Sequence, residues 1–467
     1  MEISFHGAAG GVTGSCHHLQ IGARQILVDC GIFQGEGDIG KENAADFGFD
    51  PAAIDFLLLT HAHLDHCGRI PLLVNRGFRG EILCTSATRD LARLVMLDSA
   101  GLAAEEAKRA NRRGARHGEA EQVPLYEMQD VLDAMDHFGR LAQYDKEIEL
   151  CPGIRVRFGD AGHILGSAWV FIDAEENGKH QRFVFSGDLG NVGKPIIRSP
   201  SPAPMADVVV MECTYGDRLH KAMQPSIGEL RDAILDTLQR GGNAIIPTFA
   251  LERAQDLLYF LREMTEAGEL PKQLPVFLDS PMAISATEIF RRHPECFNDS
   301  TGQILHHGTD PFALPNLHFT RETAESMQIN QIHGGSGDHG GLGHGQWRAR
   351  HPPSQAQSVA GRQQCHLRWL RRPGDPGATH HRWRQDGAYL RRRNSGARQD
   401  PYHWWLFRPC RPRRIIALVW GGTTPQTHVF GPWRGQWPRG YRQNPARARL
   451  ALSLPGHWRS LFPLKKP

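Results

Sequence analysis

Short apolar runs, each ending in a polar residue, recur through the first 335 positions of the chain. Ile54 to Leu59 reads IDFLLL, continuous enough for a strand buried on both faces. Gln25 to Val28 runs into Asp29, Arg182 to Phe185 into Ser-Gly-Asp at 186–188, and Asp207 to Met211 into Glu212. Open α/β sheets place their sites at such strand ends. Beyond residue 225 the period becomes helical. Leu230, Ile234 and Leu238 share one face of GELRDAILDTLQRGG, and Gly241–Gly242 supplies a stop. NAIIPTF predicts a strand and ALERAQDLLYFLREM a second amphipathic helix; QLPVFLDSPMA and SATEIFRRH repeat the alternation. Residues 1–335 therefore predict an α/β unit without tandem repeats or a flexible linker, long enough for a sizeable core.

Composition agrees with a soluble globular protein: 40% hydrophobic and 22% charged residues exclude a wholly disordered or a collagen-like chain. No apolar run approaches about eighteen residues, so no membrane span is expected. MEISFHGAAGGVTGSC has no basic segment leading into an apolar one, so no secretory signal is expected. The nine cysteines are scattered without a CxxC pair, which predicts a reducing, cytoplasmic setting. The net charge of +4 hides a division along the chain. Residues 341–467 hold 24 Lys and Arg, 22 of them Arg, against Asp375, Asp386 and Asp400; residues 1–340 hold 30 basic and 47 acidic side chains. Nine of the ten tryptophans also lie beyond 340, Trp169 being the other.

The densest chemistry is THAHLDHCGRIP at 60–71, which offers His61, His63, Asp65 and His66 directly after a buried strand. Imidazole with carboxylate suits zinc or a similar transition ion, and a tight loop of alternating ligands can serve two neighbouring ions. His163 lies among small residues in DAGHILGSAWV, and Asp188 ends the strand FVFSGD. A carboxylate so placed can bridge two metals about 3.5–4 Å apart. Cys30, Cys67 and Cys213 adjoin these motifs and are expected to be buried small apolar side chains. The pairs His17–His18 and His306–His307 have no carboxylate nearby in sequence and are read as structural.

The order Asp29, HxHxDH at 61–66, His163, Asp188 resembles the metallo-β-lactamase superfamily. ECTYGDR at 212–218, PTFALERAQ at 247–255 and FLDSPMA at 277–283 are similar to its β-CASP branch of RNA- and DNA-processing nucleases. The resemblance implies an α/β fold: an αββα metallo-β-lactamase sandwich over 1–211 with a β-CASP α/β domain inserted over 212–335. It implies one metal, expected to be zinc, on His61, His63 and His163, and a second on Asp65 and His66, with Asp188 bridging. Asp29 would orient a ligand histidine. Glu212 would assist proton transfer beside the scissile phosphate, so Asp65, Asp188 and Glu212 would form the catalytic carboxylates. Arg253 and Ser280 would face the substrate backbone, the alternatives being a surface arginine and a helix N-cap. Single-stranded RNA is the implied substrate, a homodimer is compatible with the resemblance, and no membrane partner is implied. A small ester or thioester substrate, or an inert metal-binding product, are the alternative readings.

Residues 336–467 break with this design. The resemblance calls for a glycine-rich GSGM segment, then a block with a histidine that works with Glu212, then a block whose histidine completes the second metal site. The chain instead reads WRARHPPSQAQ, RWLRRPGDPGATHHRWRQ and YHWWLFRPCRPRR. Arg, Pro, Trp, Gly and His enrichment with few acids is what GC-rich coding DNA yields in a wrong frame. Read from the second nucleotide of each codon, Gln364–Pro373 permits SVIFVGFAAQ, Trp405–Pro412 permits GFSAHADQ, and Val429–Gly435 permits FLVHGEG; 337–348 permits a GSGM-like run. One offset thus recovers the missing blocks in order, which points to a frameshift near 333–337 and a poorly packed tail. The rival reading is a basic, aromatic tail that contacts phosphates and stacks on bases.

Overall fold

The structure is a computed structural model. It describes residues 1–35, 39–115, 117, 120–214, 216, 223–239 and 243–329, with the backbone of 364–369 and 415–419. The shifted-frame blocks at 337–348, 405–412 and 429–435 lie outside the described residues, as does most of the 336–467 tail.

The first half folds as two facing sheets. The first holds β1 (Glu2–Gly7), β2 (Cys16–Ile21), β3 (Arg24–Val28), β4 (Phe56–Leu58), β5 (Glu81–Thr85) and β6 (Phe138–Ala142) in chain order. Strands β1 to β3 run antiparallel and β3 to β6 parallel. Between them lie α1 (Ile39–Ala44), the short α2 (Leu64–Cys67), α3 (Ile70–Asn75), the long α4 (Ser86–Gly114) and α5 (Met128–Met135). The second sheet runs β7 (Glu147–Cys151), β8 (Ile154–Asp160), β9 (Ala168–Glu176), β10 (Lys179–Phe185) and β11 (Val208–Glu212), with the backbone of 415–419 antiparallel on the β11 edge.

Strand periodicity explains why the apolar runs are continuous. In β3, Ile26 and Val28 face the other sheet while Leu27 faces the helices; in β4, Leu58 and Leu57 divide the same way. In β11, Val208 and Val210 enter the inter-sheet core, and Val209 and Met211 pack outward with Trp169 and Leu189. Both faces are covered, so both must be apolar. Among the described residues the outer face of the second sheet is covered by the irregular 189–206 segment rather than a helix.

The second half is an α/β unit. Its elements are α6 (Met223–Gln239), β12 (Asn243–Thr248), α7 (Arg253–Glu266), β13 (Val276–Asp279), α8 (Pro281–Arg292), α9 (Asp299–His306), β14 (Leu317–Phe319) and α10 (Thr323–Ile329). Its parallel sheet has the order β12, 364–369, β13, β14. Helix α7 begins at Arg253 rather than at Ala250, because Glu252 adopts φ 64° and interrupts the helical path. This unit docks on the first half at several places, two of them through helix-end side chains. His293 bridges Glu295 and Asp90 of α4 at 2.8 and 3.1 Å. Asn298 Nδ2 donates to the carbonyls of Lys194 and Pro195, both at 3.0 Å, and Thr301 Oγ1 to Pro195 at 2.8 Å.

Candidate metal centre

The HxHxDH segment leaves β4 and enters α2, with His63 as the residue before the helix and Asp65, His66 and Cys67 buried in its single turn. This turn lies against the loop after β3. A Cβ on Gly31 would sit 1.8 Å from the Asp65 carbonyl oxygen, so only glycine allows the two backbones to meet there. His163 comes from the β8–β9 loop and Asp188 from the end of β10.

Four of the predicted ligands converge: one donor atom from each of His61, His63, His163 and Asp188 lies within 4.8 Å of the others. His61 Nε2 is 3.1 Å and His163 Nε2 3.2 Å from His63 Nδ1. Asp188 Oδ2 stands 3.5 Å from His163 Nε2 and 3.9 Å from His61 Nε2, while its Oδ1 faces His66 Nε2 at 3.3 Å. One carboxylate thus addresses two sets of imidazoles.

Hydrogen bonds set two of the tautomers. The buried Asp29 accepts from Thr60 N and Thr60 Oγ1, both at 2.8 Å, and from His66 Nδ1 at 2.7 Å. A carboxylate can only accept, so His66 Nδ1 carries a proton in either charge state, and Nε2 is the atom left to meet a metal. Thr60 spends its hydroxyl proton on Asp29, so the 3.0 Å contact to His61 Nδ1 has the imidazole as donor. His61 Nε2 is then an acceptor aimed at the cluster, 3.1 Å from His63 Nδ1. Burial, with His66 alongside, pushes the His61 imidazole well below its usual pKa. Burial alone would also lower His66, but Asp188 and Asp29 outweigh it and hold it well above.

This donor set fits a divalent cation. Ligand nitrogens about 2.0–2.1 Å from a tetrahedral zinc stand about 3.3 Å apart, close to the contacts observed here. Asp65 Oδ2 is buried without a hydrogen-bond partner, a costly state for an anion unless a cation meets it.

The remaining predicted residues fall into two groups. Glu212 ends β11 beside the site: its Oε1 accepts from Leu189 N at 2.7 Å, the residue following Asp188, and its own N–H donates to Ser186 Oγ at 3.0 Å. Arg253 Nη1 pairs with Asp256 at 3.1 Å, and the buried Ser280 caps α8 by accepting from Ala283 N at 3.1 Å; the structure ties these two to their own helices. Cys30 and Cys67 are buried as expected, whereas Cys213 is half-buried. His17 is buried against Phe185, with ring centroids 6.1 Å apart. Sequence reasoning missed Thr60, Ser167, Lys194 and Glu252. Thr60 sat inside the quoted motif. Lys194 and Glu252 act on the His163 loop from positions 31 and 89 residues away; Glu252 lay inside the quoted PTFALERAQ block, but nothing in the pattern linked either residue to His163.

Fold and site together define a metal-binding α/β sandwich whose ligands cluster at strand ends. Residues 9–127 match the model of the Metallo-beta-lactamase superfamily, and residues 254–362 that of the Beta-Casp domain. The chain is 38% identical over 334 residues to Ribonuclease TTHA0252 of Thermus thermophilus, covering 72% of this chain and 71% of that protein. It is 33% identical over 325 residues to the transcription termination factor FttA of Methanothermobacter thermautotrophicus, covering 68% of this chain and 48% of the relative. Endoribonuclease YSH1 of Candida glabrata is 27% identical over 334 residues, 69% of this chain and 41% of that protein. The chain belongs to the metallo-β-lactamase superfamily, in its β-CASP branch. It spans about seven-tenths of the first relative and less than half of the other two.

Proposed function

We propose that this chain is built for metal-dependent hydrolysis of RNA phosphodiester bonds. The observation that carries the reading is Asp188, one of whose oxygens faces His61 and His163 while the other faces His66. His61, His63 and His163 would hold one ion, Asp65 and His66 a second, with Asp188 shared; zinc suits these ligands. Bound there, such ions lower the pKa of a water and neutralise charge developing on phosphorus. The protein's own groups do the rest. Asp29 and Thr60 orient His66 and His61 so that their Nε2 atoms face the cluster. Asp65 Oδ2, buried without a hydrogen-bond partner, would be the atom that meets the second ion. Glu212 holds the backbone just after Asp188, and from there its carboxylate serves as the acid that assists proton transfer. Arg253 and Ser280 would contribute to binding the RNA backbone only by leaving the contacts they make within their own helices. The names of two relatives, a ribonuclease and an endoribonuclease, support RNA as substrate.

The same reading assigns the tail to an out-of-frame stretch that omits the last metal histidine and the partner of Glu212. The chain as written is then expected to bind metal and cleave single-stranded RNA weakly. A chain with the frame restored from about residue 335 should cleave about 100-fold faster or more, the worth of a positioned acid–base group, and lose that activity in His63→Ala. Metal content by elemental analysis and a labelled single-stranded RNA assay, run beside a small-thioester assay, test this. Vigorous RNA cleavage by the chain as written, abolished by His63→Ala, would refute the frame assignment; preference for the thioester would refute the substrate. Sequencing the gene across codons 330–340 checks the frame directly.

A further inference from the structure

The loop that delivers His163 to the site is held almost wholly by its backbone. His163 N and Ile164 N donate to Ser167 Oγ at 2.9 and 3.2 Å, and the Gly166 carbonyl accepts from Thr85 and Thr88 at 2.7 and 2.8 Å. Two further contacts come from charged, buried side chains. Lys194 Nζ donates to the His163 carbonyl. Glu252 Oε2 accepts from Leu165 N at 3.1 Å, and its Oε1 lies 3.8 Å from Lys194 Nζ. The Lys194 and Glu252 side chains are only 7% and 4% exposed, so each needs the other and the loop to offset its lost hydration.

Both residues answer to the inserted half. Glu252 belongs to it outright and sits in the turn between β12 and α7 at φ 64°, a conformation that non-glycine residues avoid unless their surroundings impose it. Lys194 belongs to the first half, but Asn298 of the inserted half grips its carbonyl at 3.0 Å, and the bridge between Ile197 and Phe297 fixes the same segment. The inserted half therefore contacts both anchors of the His163 loop.

We propose that Glu252 and Lys194 are positioning residues through which the inserted domain sets the His163 loop, so that domain docking completes the three-histidine pocket. The metal arm of this inference rests on the metal reading above; the backbone arm does not. If the inserted half shifts, Leu165 N and the His163 carbonyl lose their partners and His163 is free to swing from His61 and His63. Substrate engaged by the inserted half could then alter metal retention without touching a ligand.

The test uses the full chain with Zn²⁺ alone as probe. Hydrogen exchange over residues 162–168 and the Zn²⁺ release rate into excess chelator are measured for wild type, Glu252→Ala, Glu252→Gln and Lys194→Met. Glu252→Ala should speed exchange at the Leu165 amide and Zn²⁺ release by tenfold or more, while exchange in β3 and β4 stays unchanged. Glu252→Gln keeps an acceptor and should restore much of the Leu165 protection; Lys194→Met should speed Zn²⁺ release like Glu252→Ala. A Leu165 amide no faster in Glu252→Ala than in wild type overturns the proposal, and so does unchanged Zn²⁺ release once the loop is open. If wild type binds no Zn²⁺, the metal reading fails, and Leu165 exchange alone decides whether the inserted domain holds the loop. Should Glu252→Ala not fold, Glu252→Gln and Lys194→Met decide it by the same two measurements.

Discussion

Asp29 shows how much one side chain can carry. It sits at φ 62°, strained for a non-glycine residue, and its two oxygens accept three hydrogen bonds from Thr60 and His66. Changing Asp29 to Asn leaves the shape but replaces one acceptor with a donor facing His66 Nδ1–H. Zn²⁺ affinity should fall about 10–100-fold, read by competition with a coloured chelator, while the far-ultraviolet dichroism stays native. Asp160 offers a separate test of burial. Burial pushes its carboxyl up to about 6, against the pull of the Gly162 N–H and of Arg198; Asp145, Tyr144, Cys296 and Lys194 are the other titratable neighbours. The folded state thus binds this proton more tightly than the unfolded one. Its contribution to stability is greatest below the ordinary carboxylate range and is lost as pH rises toward about 6, by about 3 kcal/mol in all. Asp160→Asn should flatten that part of the stability–pH profile, measured by urea unfolding between pH 4 and 6.5. An unchanged slope would mean that the carboxyl is not desolvated as described.

At the level of elements, the site depends on how closely loops can approach. The turn after Asp188 runs against the His163 loop: a Cβ on Gly190 would lie 1.5 Å from the Gly162 carbonyl oxygen and 2.2 Å from its carbon. Both atoms are backbone, so the strain cannot relax through a rotamer. Gly190→Ala should destabilise by about 1–3 kcal/mol and, by displacing the loop, loosen metal binding; calorimetry and the chelator assay report the two effects. Much of this layer was legible in the sequence. The strands before Asp29, Asp188 and Glu212 follow from apolar runs that must be buried on both faces, and those three carboxylates fall where the strands end. The start of α7 was not legible. Residues 250–252 have helical propensity, but Glu252 is drawn out of the helix by its tertiary contacts to Leu165 and Lys194. Ser280 caps α8, one of the two roles its sequence position allowed.

For the whole molecule, a ligand set drawn from three segments of the chain links metal binding to folding. A cation that binds only the folded state adds about 4 kcal/mol at 1,000 times its dissociation constant. Chelation should therefore lower the melting temperature and make it depend on Zn²⁺ concentration; a melting curve indifferent to chelator would argue against a metal centre. The other global issue is the tail. The backbone of 364–369 lies between β12 and β13, with Arg368 in register with Pro247 and Asp279. A central parallel strand is flanked on both sides and is ordinarily a continuous apolar run, which QCHLRW is not. The shifted-frame SVIFVG is such a run. Restoring the frame should raise the melting temperature of the inserted half and reduce aggregation, followed by calorimetry and light scattering.

The sequence by itself determined which side chains could bind metal and at which strand ends they would appear, because ligand chemistry and strand burial are both local in the chain. It also shows that Arg and Trp concentrate beyond residue 340, since composition needs no structure to be read. Only the tertiary structure decided that Asp188 presents one oxygen to each imidazole set, that Thr60 dictates the His61 tautomer, and that Lys194 and Glu252 reach the His163 loop. Those are relations among atoms brought within about 3 Å by packing, and residues so distant along the chain leave no periodicity from which to infer them.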